Sequence, residues 1–383
     1  KIINDMGFNS YFLINYDIIR YAQSRGFYYV GRGSGANSIV AYCLRITDVD
    51  PIELNLYFAR FLNEYRTSPP DFDIDFAHTD RDEIMDYIFK RYGREHVALL
   101  GSFPTFKSDS IVREIGKVFG LPNEDIERLQ KSGTATDKIG RQILQYGKLL
   151  HGFPSYPSLH PCGMIISDKP ITEYGTLFMP PKGFPGLQMD MFTAEDVGLN
   201  KFDILSQRGL SHIRTALELV KENGGPAIDI HDIPKFKADT KVAAQIRKAD
   251  TIGCFYIESP AMRGLLKKLR CDDYNTLVAA SSIIRPGVAQ SGMMRQYIER
   301  YQDPANVKYL HPIFEELLSD TFGVMVFQED VIKIAHHFAG LNHGQSDILR
   351  RAMSGKYRSD NEFRMIREQF MEAIKANLLS HQI

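Results

Sequence analysis

Three aspartates alternate with large apolar residues in the segment Pro70-Asp71-Phe72-Asp73-Ile74-Asp75-Phe76. In a β-strand this alternation puts Asp71, Asp73 and Asp75 on one face and the apolar side chains on the other. Acids two residues apart lie roughly 6.5–7 Å apart at Cα. Their carboxylates could therefore converge on two metal ions about 3.5–4 Å apart, the arrangement of phosphoryl-transfer enzymes. Repulsion among three adjacent acids also makes a divalent cation a natural partner.

Two other interpretations of the aspartate segment stay open. The first is a strand whose exposed face is merely acidic, because surface acids are common without a ligand. The second is a calcium site, which the spacing supports less well because the loop glycine and downstream glutamate of an EF-hand are missing.

A glycine-rich loop, residues 31–38 (GRGSGANS), lies between a predicted strand at 27–30 and a predicted helix at 34–44. Glycines let a backbone approach a phosphate, and a helix N-terminus attracts negative charge. Arg32 and Ser34 would add a guanidinium and a hydroxyl. No G-K-[ST] follows, and the third glycine falls one residue early for a dinucleotide fingerprint. The loop could equally be a tight connection.

Further charged residues could join the same site. Arg60 and Arg66 precede Asp71 closely in sequence, and the alternative for both is an ordinary place on the surface. Lys201 and Asp203 alternate with apolar residues, so a strand at 200–205 would put them on one face. Asp203 could then supply a third carboxylate. On pattern alone, this segment is also typical of an ordinary half-buried strand.

Composition sets outer limits on these interpretations. The 383 residues are 44% hydrophobic and 24% charged, which indicates a globular protein of two or three domains. A net charge of −1 counts against a nucleic-acid binder unless a basic surface is local. Four cysteines without C-x-x-C spacing argue against a structural zinc site or a disulfide framework and suit a reducing cytosol.

We expect a cytoplasmic protein without a membrane span, because no run of 18 apolar residues and no signal peptide is present. The chain does not begin with Met, so we expect a piece of a longer protein.

Periodicity predicts a mixed α/β part followed by a helical part. Helices are expected at 7–25, 80–96 and 105–150, the last broken by a turn at 120–125, and nearly throughout after 208. Short strands are expected at 164–167 and 200–205. The proline- and glycine-rich stretch at 152–163 and a second at 179–186 are typical of a domain connection.

Several long segments together resemble the bacterial DNA polymerase III α subunit, of family C or DnaE type. They follow the order of that family: GRGSGANSIVAYCLRITDVDPIELNLYFARFLNEYRTSPPDFDIDF, VGLNKFDIL, TIGCFYIES, IIRPGVAQSGM and SDILRRAMSGK. The resemblance implies an α/β fold with a nucleotidyltransferase-type mixed-sheet palm, a helical thumb insertion and a helical fingers domain. The palm would take residues 1–100 and 160–207, the thumb 101–159, and the fingers, incomplete at their end, 208–383.

The resemblance also implies the site. Asp71, Asp73 and Asp203 match the catalytic aspartates that bind two Mg²⁺ ions, whereas Asp75 has a supporting role. Gly33 and Ser34 would contact the phosphates of the incoming nucleotide. The full set of nucleotide-binding residues would be Arg32, Gly33, Ser34, Arg60, Arg66, Lys201, Arg285, Arg350, Arg351 and Lys356.

The implied activity is template-directed DNA synthesis, with primer-template DNA and deoxynucleoside triphosphates as substrates. In the full-length protein, the sliding clamp and other replisome subunits would be partners. The segment SLHPCGMIIS is more similar to the error-prone branch, and Asp109 stands where replicative members carry lysine. Damage-tolerant synthesis is therefore as open as replication. A template-independent nucleotidyltransferase and a non-catalytic DNA-binding relative are the alternatives. A nuclease would also use clustered acids, but would not need a triphosphate loop.

Overall fold

The computed structural model describes residues 1–63, 70–285, 291–353 and 360–380. The chain forms two compact units. The discontinuous unit comprises Lys1–Thr79 and Gln207–Ile383, and the inserted unit comprises Asp80–Ser206. Within the described ranges, no helix is both long and apolar enough to cross a membrane.

The secondary structure of the described residues follows in chain order. The strands are β1 (Tyr29–Arg32), β2 (Asp73–Ala77), β3 (Val97–Ser102), β4 (Ser158–Ile166), β5 (Leu177–Phe178), β6 (Gly186–Leu187) and β7 (Lys201–Gln207). The helices are α1 (Ile2–Asp5), α2 (Asn9–Ser24), α3 (Ile39–Cys43), α4 (Arg81–Tyr92), α5 (Ser108–Val118), α6 (Asn123–Ser132), α7 (Lys138–Leu150), α8 (Met191–Asp196), α9 (Arg208–Glu222), α10 (Ile233–Lys237), α11 (Thr240–Arg247), α12 (Pro260–Leu269), α13 (Tyr274–Ile283), α14 (Met293–Gln302), α15 (Pro312–Leu318), α16 (Gln328–Lys333), α17 (His343–Met353) and α18 (Asp360–Ser380). Tight 3₁₀ turns form at Ser34–Asn37, Phe58–Arg60, Ile171–Glu173, Pro304–Asn306 and Ser319–Thr321, and a π-helical turn forms at Ile334–Phe338.

In the discontinuous unit, β1 and β2 pair antiparallel, with Arg32 opposite Asp73 and Val30 opposite Asp75. The apolar face of the aspartate segment is buried, as the alternation predicts. Helix α2 covers part of it: Tyr11 stacks on Phe72 at 5.7 Å between ring centroids, and Phe12 meets the same ring edge-on at 5.1 Å. Ring pairs at these spacings stabilise beyond the area they bury. The aspartates therefore project from a firmly anchored segment.

The helical part of the discontinuous unit has its own core. Helices α12, α13 and α14 pack around buried residues that include Leu266, Ala280, Ile283 and Tyr297. Each of α12 and α13 begins with a side-chain cap, since Ser259 and Asp273 accept backbone hydrogen bonds from the first turn. These caps and the apolar periodicity explain why the region after 208 is helical, as predicted.

The inserted unit holds five strands in the order β7-β4-β3-β6-β5. Strand β4 is antiparallel to β3 and to β7, and β6 is parallel to β3. Ala98, Leu100, Ile165 and Leu187 form the buried core on this sheet. Helices α5, α6 and α7 pack around a second small core that includes Ile111, Leu129 and Ile143.

Three expectations from the sequence need correction. Residues 34–44 form a 3₁₀ turn and then the short α3, rather than one helix. Strand β3 was missed, because its apolar run carries no alternation that separates a buried strand from a helix. The stretch at 152–163 is not wholly a connection, since β4 begins at Ser158. Its proline is accommodated by an irregularity in the pairing with β3.

Candidate active site

The three aspartates of the aspartate segment differ in exposure. Asp71 lies just ahead of β2 and is exposed, and among the described residues its carboxylate has no hydrogen-bond or ion-pair partner. The side chain of Asp73 is 26% exposed, and that of Asp75 is only 8% exposed. The exposure of the acidic side chains therefore decreases along the segment, and Asp71 has the most accessible carboxylate.

Arg32 pairs with both acids of strand β2. Its Nη1 lies 3.1 Å from Oδ2 of Asp73, and its Nε donates to Oδ2 of Asp75. A carboxylate as buried as that of Asp75 needs a hydrogen-bonded cation nearby. Asp75 in turn holds the arginine side chain over the β1–β2 pair. The supporting role of Asp75 stays a prediction, and its ion pair with Arg32 is the contact through which it would act.

The glycine loop closes tightly around the backbone of Asp71. The Ser34 hydroxyl accepts from the Asp71 N–H at 3.0 Å, and the Gly35 N–H donates to the Asp71 carbonyl at 2.9 Å. A Cβ on Gly33, whose φ is +93°, would lie 2.5 Å from that same carbonyl oxygen. A Cβ on Gly35 would lie 2.1 Å from the Phe72 ring. The glycines are thus required for the approach that positions Asp71.

Arg60 forms an ion pair with a carboxylate of helix α16. Its Nη1 forms an ion pair with Oε1 of Glu329, which also accepts from Nδ2 of Asn37 at 3.4 Å. Glu329 is 9% exposed, so its charge is largely removed from water. Arg60 and the end of the glycine loop are therefore connected through one buried acid.

Arg350 and Arg351 both contact Asp347, which is fully buried on the same helix, α17. Arg350 Nε donates to Oδ1 of Asp347 at 2.9 Å, and Arg351 Nε lies 3.2 Å from Oδ2. Asn63 Nδ2 donates to the same carboxylate at 3.3 Å. In this structure the two arginines neutralise a buried charge.

Arg285, another residue predicted to bind the nucleotide, is exposed beyond the end of α13. Arg66 and Lys356 lie outside the described residues.

In the inserted unit, Lys201 and Asp203 share one face of β7, as the alternation predicts. Lys201 Nζ forms an ion pair with Oδ2 of Asp203, and Cys162 Sγ donates to Oδ1 at 3.2 Å. His160 Nδ1 accepts from the Gly163 N–H at 2.9 Å. Partial burial and then the positive charge of Lys201 lower the pKa of His160. Sequence reasoning missed Cys162 and His160, because their segment was interpreted as a connection.

The pairing of Arg32 with Asp75 predicts a measurable coupling. Arg32→Gln and Asp75→Asn should each lower the free energy of unfolding by about 1–3 kcal/mol. Arg32→Gln removes the cation that the buried Asp75 carboxylate contacts, and Asp75→Asn removes the more buried of the two carboxylates that Arg32 contacts. The double variant should lose clearly less free energy of unfolding than the two single variants lose in sum. Urea unfolding of the four proteins measures this coupling. The exposed pair Lys117–Glu114 is the matched control, with an expected coupling below about 1 kcal/mol. Simple additivity for Arg32 and Asp75 would contradict the pairing.

Asp330, beside Glu329 on α16, predicts a pH dependence. Burial raises the pKa of its carboxyl to about 6, although Phe327 N–H donates to it. The folded protein then binds the proton more tightly than the unfolded chain, so stability falls as pH rises from about 4 to about 6. Asp330→Asn should therefore raise the free energy of unfolding at pH 8, by up to about 3 kcal/mol, and change it less at pH 5. The exposed Asp320→Asn should show no such pH-dependent difference.

A mixed α/β part that presents acids from a strand, followed by a helical part, agrees with the palm and fingers that the resemblance implies. Residues 1–206 match the model of the bacterial DNA polymerase III alpha NTPase domain, and residues 209–378 match that of the bacterial DNA polymerase III alpha subunit finger domain. The chain belongs to the bacterial DNA polymerase III alpha family. This confirms the resemblance seen in its motifs.

The chain is similar both to DNA polymerase III alpha subunits and to an error-prone DNA polymerase. The DNA polymerase III subunit alpha of Staphylococcus aureus is 39% identical over 98% of this chain and 37% of its own length. The error-prone DNA polymerase of Symbiobacterium thermophilum is 37% identical over 94% of this chain and 35% of its own length. The chain thus spans little more than a third of the curated relatives it matches.

Proposed function

We propose that the chain carries the catalytic part of a template-directed DNA polymerase. It would add deoxynucleotides to a primer 3′-hydroxyl and release pyrophosphate, in bacterial replication or in damage-tolerant synthesis. The observation that carries this proposal is the exposed carboxylate of Asp71, a residue whose backbone the glycine loop holds directly ahead of the half-buried Asp73. Membership of the family and the names of the relatives support it.

The carboxylates fit the hard cation that the family implies. Mg²⁺ prefers oxygen ligands, and Asp71, Asp73 and Asp203 would hold two such ions. Bound there, they would lower the pKa of the primer hydroxyl and neutralise the phosphates. Arg32 and Lys201 offset the charge of Asp73 and Asp203 in the structure, so we expect both cations to yield these oxygens when Mg²⁺ binds. We assign Asp203 to the same ions from its match to the family motif.

The nucleotide would be held by the glycine loop and the cations around it. The side chain of Arg32 is 51% exposed, so its guanidinium can approach a triphosphate from its place beside Asp73. Fixed positive charge there would stabilise the negative charge that develops during transfer. Gly33 and Ser34 would lie against the phosphates. We assign Arg60, Arg66, Lys201, Arg285, Arg350, Arg351 and Lys356 to further contacts with the nucleotide.

Arg60, Arg350 and Arg351 would have to exchange partners to take part, because each contacts a buried carboxylate. Base choice would come from pairing with the template, while the protein grips the DNA backbone through charge. Chromosomal DNA as substrate implies the cytoplasm. The clamp and other replisome subunits would be partners of the full-length protein.

Primer extension on templates that differ in one base tests the proposal. With Mg²⁺ and each nucleotide separately, the full-length protein that carries this chain should add only the nucleotide complementary to the template base. Addition regardless of the template would favour a template-independent nucleotidyltransferase. Salt-sensitive DNA binding without any addition would favour a non-catalytic relative.

A further inference from the structure

Strand β4 leaves its regular pairing beside Asp203. Its register with β3 runs from Leu99 opposite Met164 directly to Gly101 opposite Leu159. Residues 160–163 of β4 therefore lie opposite a single residue of β3, which makes an enlarged bulge. Bulges redirect side chains and are common beside active sites. On its other edge, β4 pairs with β7 so that Gly163 lies opposite Asp203. The bulge thus brings two β4 side chains against that carboxylate.

The redirected side chains are those of His160 and Cys162. Cys162 Sγ lies 3.2 Å from Oδ1 of Asp203 and 3.6 Å from Nδ1 of His160. One ligand atom from each of the three residues lies within 4.8 Å of the other two. Zn–S and Zn–N distances of about 2.3 and 2.0–2.1 Å in a tetrahedral site put neighbouring ligand atoms about 3.5 Å apart. The two distances to the Cys162 sulfur, 3.2 and 3.6 Å, are close to this value, and the ligand atoms of His160 and Asp203 lie within 4.8 Å of each other.

We propose that His160, Cys162 and Asp203 bind a thiophilic divalent cation of the zinc class. Imidazole, thiolate and carboxylate are the donors that zinc takes in sites with three protein ligands and one open position. Magnesium has little affinity for sulfur and nitrogen donors, so this site differs in chemistry from the proposed magnesium site. Among the residues that the structure describes, no other group of three histidine, cysteine or acidic side chains has its ligand atoms within 4.8 Å of one another.

Binding requires only exchange of partners. The Cys162 thiol releases its proton to solvent, and the S–H···O bond to Asp203 is replaced by sulfur–metal and oxygen–metal bonds. His160 Nδ1 exchanges the Gly163 N–H for the metal. Lys201 retains Oδ2 of Asp203, since the metal takes Oδ1. Two ligand charges balance the cation, and no oxidant is involved.

A consequence for regulation rests on the proposed function. If Asp203 is also a ligand of Mg²⁺, then zinc bound to Cys162 and Asp203 would occupy that carboxylate and inhibit nucleotide addition. The site would therefore be inhibitory. Metal binding itself does not depend on this consequence.

Titration with Co²⁺ tests the site, because a cobalt–thiolate bond gives a charge-transfer absorption that oxygen ligands do not give. The wild-type protein should bind one Co²⁺ with this absorption, and Zn²⁺, but not Mg²⁺, should displace it. Cys162→Ser should abolish the absorption and weaken Zn²⁺ binding by at least about 100-fold. Cys254→Ser, at another partly buried free cysteine, is the matched control and should retain both.

An absorption that persists in Cys162→Ser, or none in the wild type, would overturn the proposal. His160→Gln covers the case in which Cys162→Ser does not fold. It should keep the thiolate absorption and bind Co²⁺ at least about tenfold more weakly, and wild-type affinity in a folded His160→Gln protein would also overturn the site. Metal binding as predicted in a protein that fails template-directed extension would contradict the proposed function alone.

Discussion

Asp71→Asn is expected to lower the rate of nucleotide incorporation by at least about 10³-fold, because metal-held charge stabilisation is worth several kcal/mol and each 1.4 kcal/mol is about tenfold. The protein should fold as before. Asp71 is exposed, and its carboxylate has no partner among the described residues, so its charge contributes little to stability. The backbone contacts that hold it to Ser34 and Gly35 involve no side-chain atom of Asp71 and should persist.

Single-turnover primer extension measures the effect, with melting temperature and DNA affinity as companion readouts. Asp250→Asn is the matched control, since Asp250 is an exposed acid in the same unit, and it should extend primers at the wild-type rate. Wild-type extension by Asp71→Asn would refute the assignment of Asp71. A large loss of melting temperature would instead show that Asp71 is structural.

Gly33→Ala is expected to damage both stability and activity. An alanine at φ +93° is strained, and its Cβ would lie 2.5 Å from the Asp71 carbonyl oxygen and 3.3 Å from the Asp73 N atom. Backbone atoms cannot step aside cheaply, so the clash should cost about 1–3 kcal/mol. A further cost of about 1–3 kcal/mol comes from the backbone conformation of Gly33 (φ +93°, ψ −170°), which is essentially confined to glycine. The loop must then move away from Asp71. A displacement of about 1 Å at reacting groups can cost 10²-fold in rate.

Gly26→Ala separates the two causes. Gly26 also has a positive φ, of +69°, but its Cβ would meet nothing within 4 Å. Gly26→Ala should therefore lose only the stability that a positive φ costs, roughly 1 kcal/mol, and keep the wild-type incorporation rate. Thermal unfolding and primer extension of both variants make the comparison. Equal losses in the two variants would contradict the account of the loop as the element that positions Asp71.

Alternation in the aspartate segment was enough to predict that its apolar side chains are buried. Phe72, Ile74 and Phe76 are in the core because period-two geometry leaves no other face for them. The same geometry treats Asp71, Asp73 and Asp75 alike, whereas the structure grades them from exposed to buried. That gradient depends on strand β1, whose register puts Arg32 opposite Asp73, and pairing between distant segments is not encoded in local spacing.

The ion pairs of Arg350 and Arg351 could have been predicted from the sequence. Asp347 precedes Arg350 and Arg351 by three and four residues, a spacing that brings side chains together on a helix, and the structure pairs all three. By contrast, the partner of Arg60 is Glu329, far along the chain, and only tertiary packing could reveal it. The bulge that brings Cys162 to Asp203 could not be predicted either, because the prolines and glycines of that segment are typical of a connection between domains.

A crystal structure of the protein with primer-template DNA, an incoming nucleotide and Mg²⁺ tests the proposed metal site most directly. We expect two ions, with oxygens of Asp71, Asp73 and Asp203 as ligands at about 2.0–2.1 Å. Lys201 would then have released the Asp203 oxygen that it holds in the present structure. Ions bound to Asp71 and Asp73 alone, with Asp203 still paired to Lys201 and Cys162, would contradict the claim that the three aspartates act on the same metals.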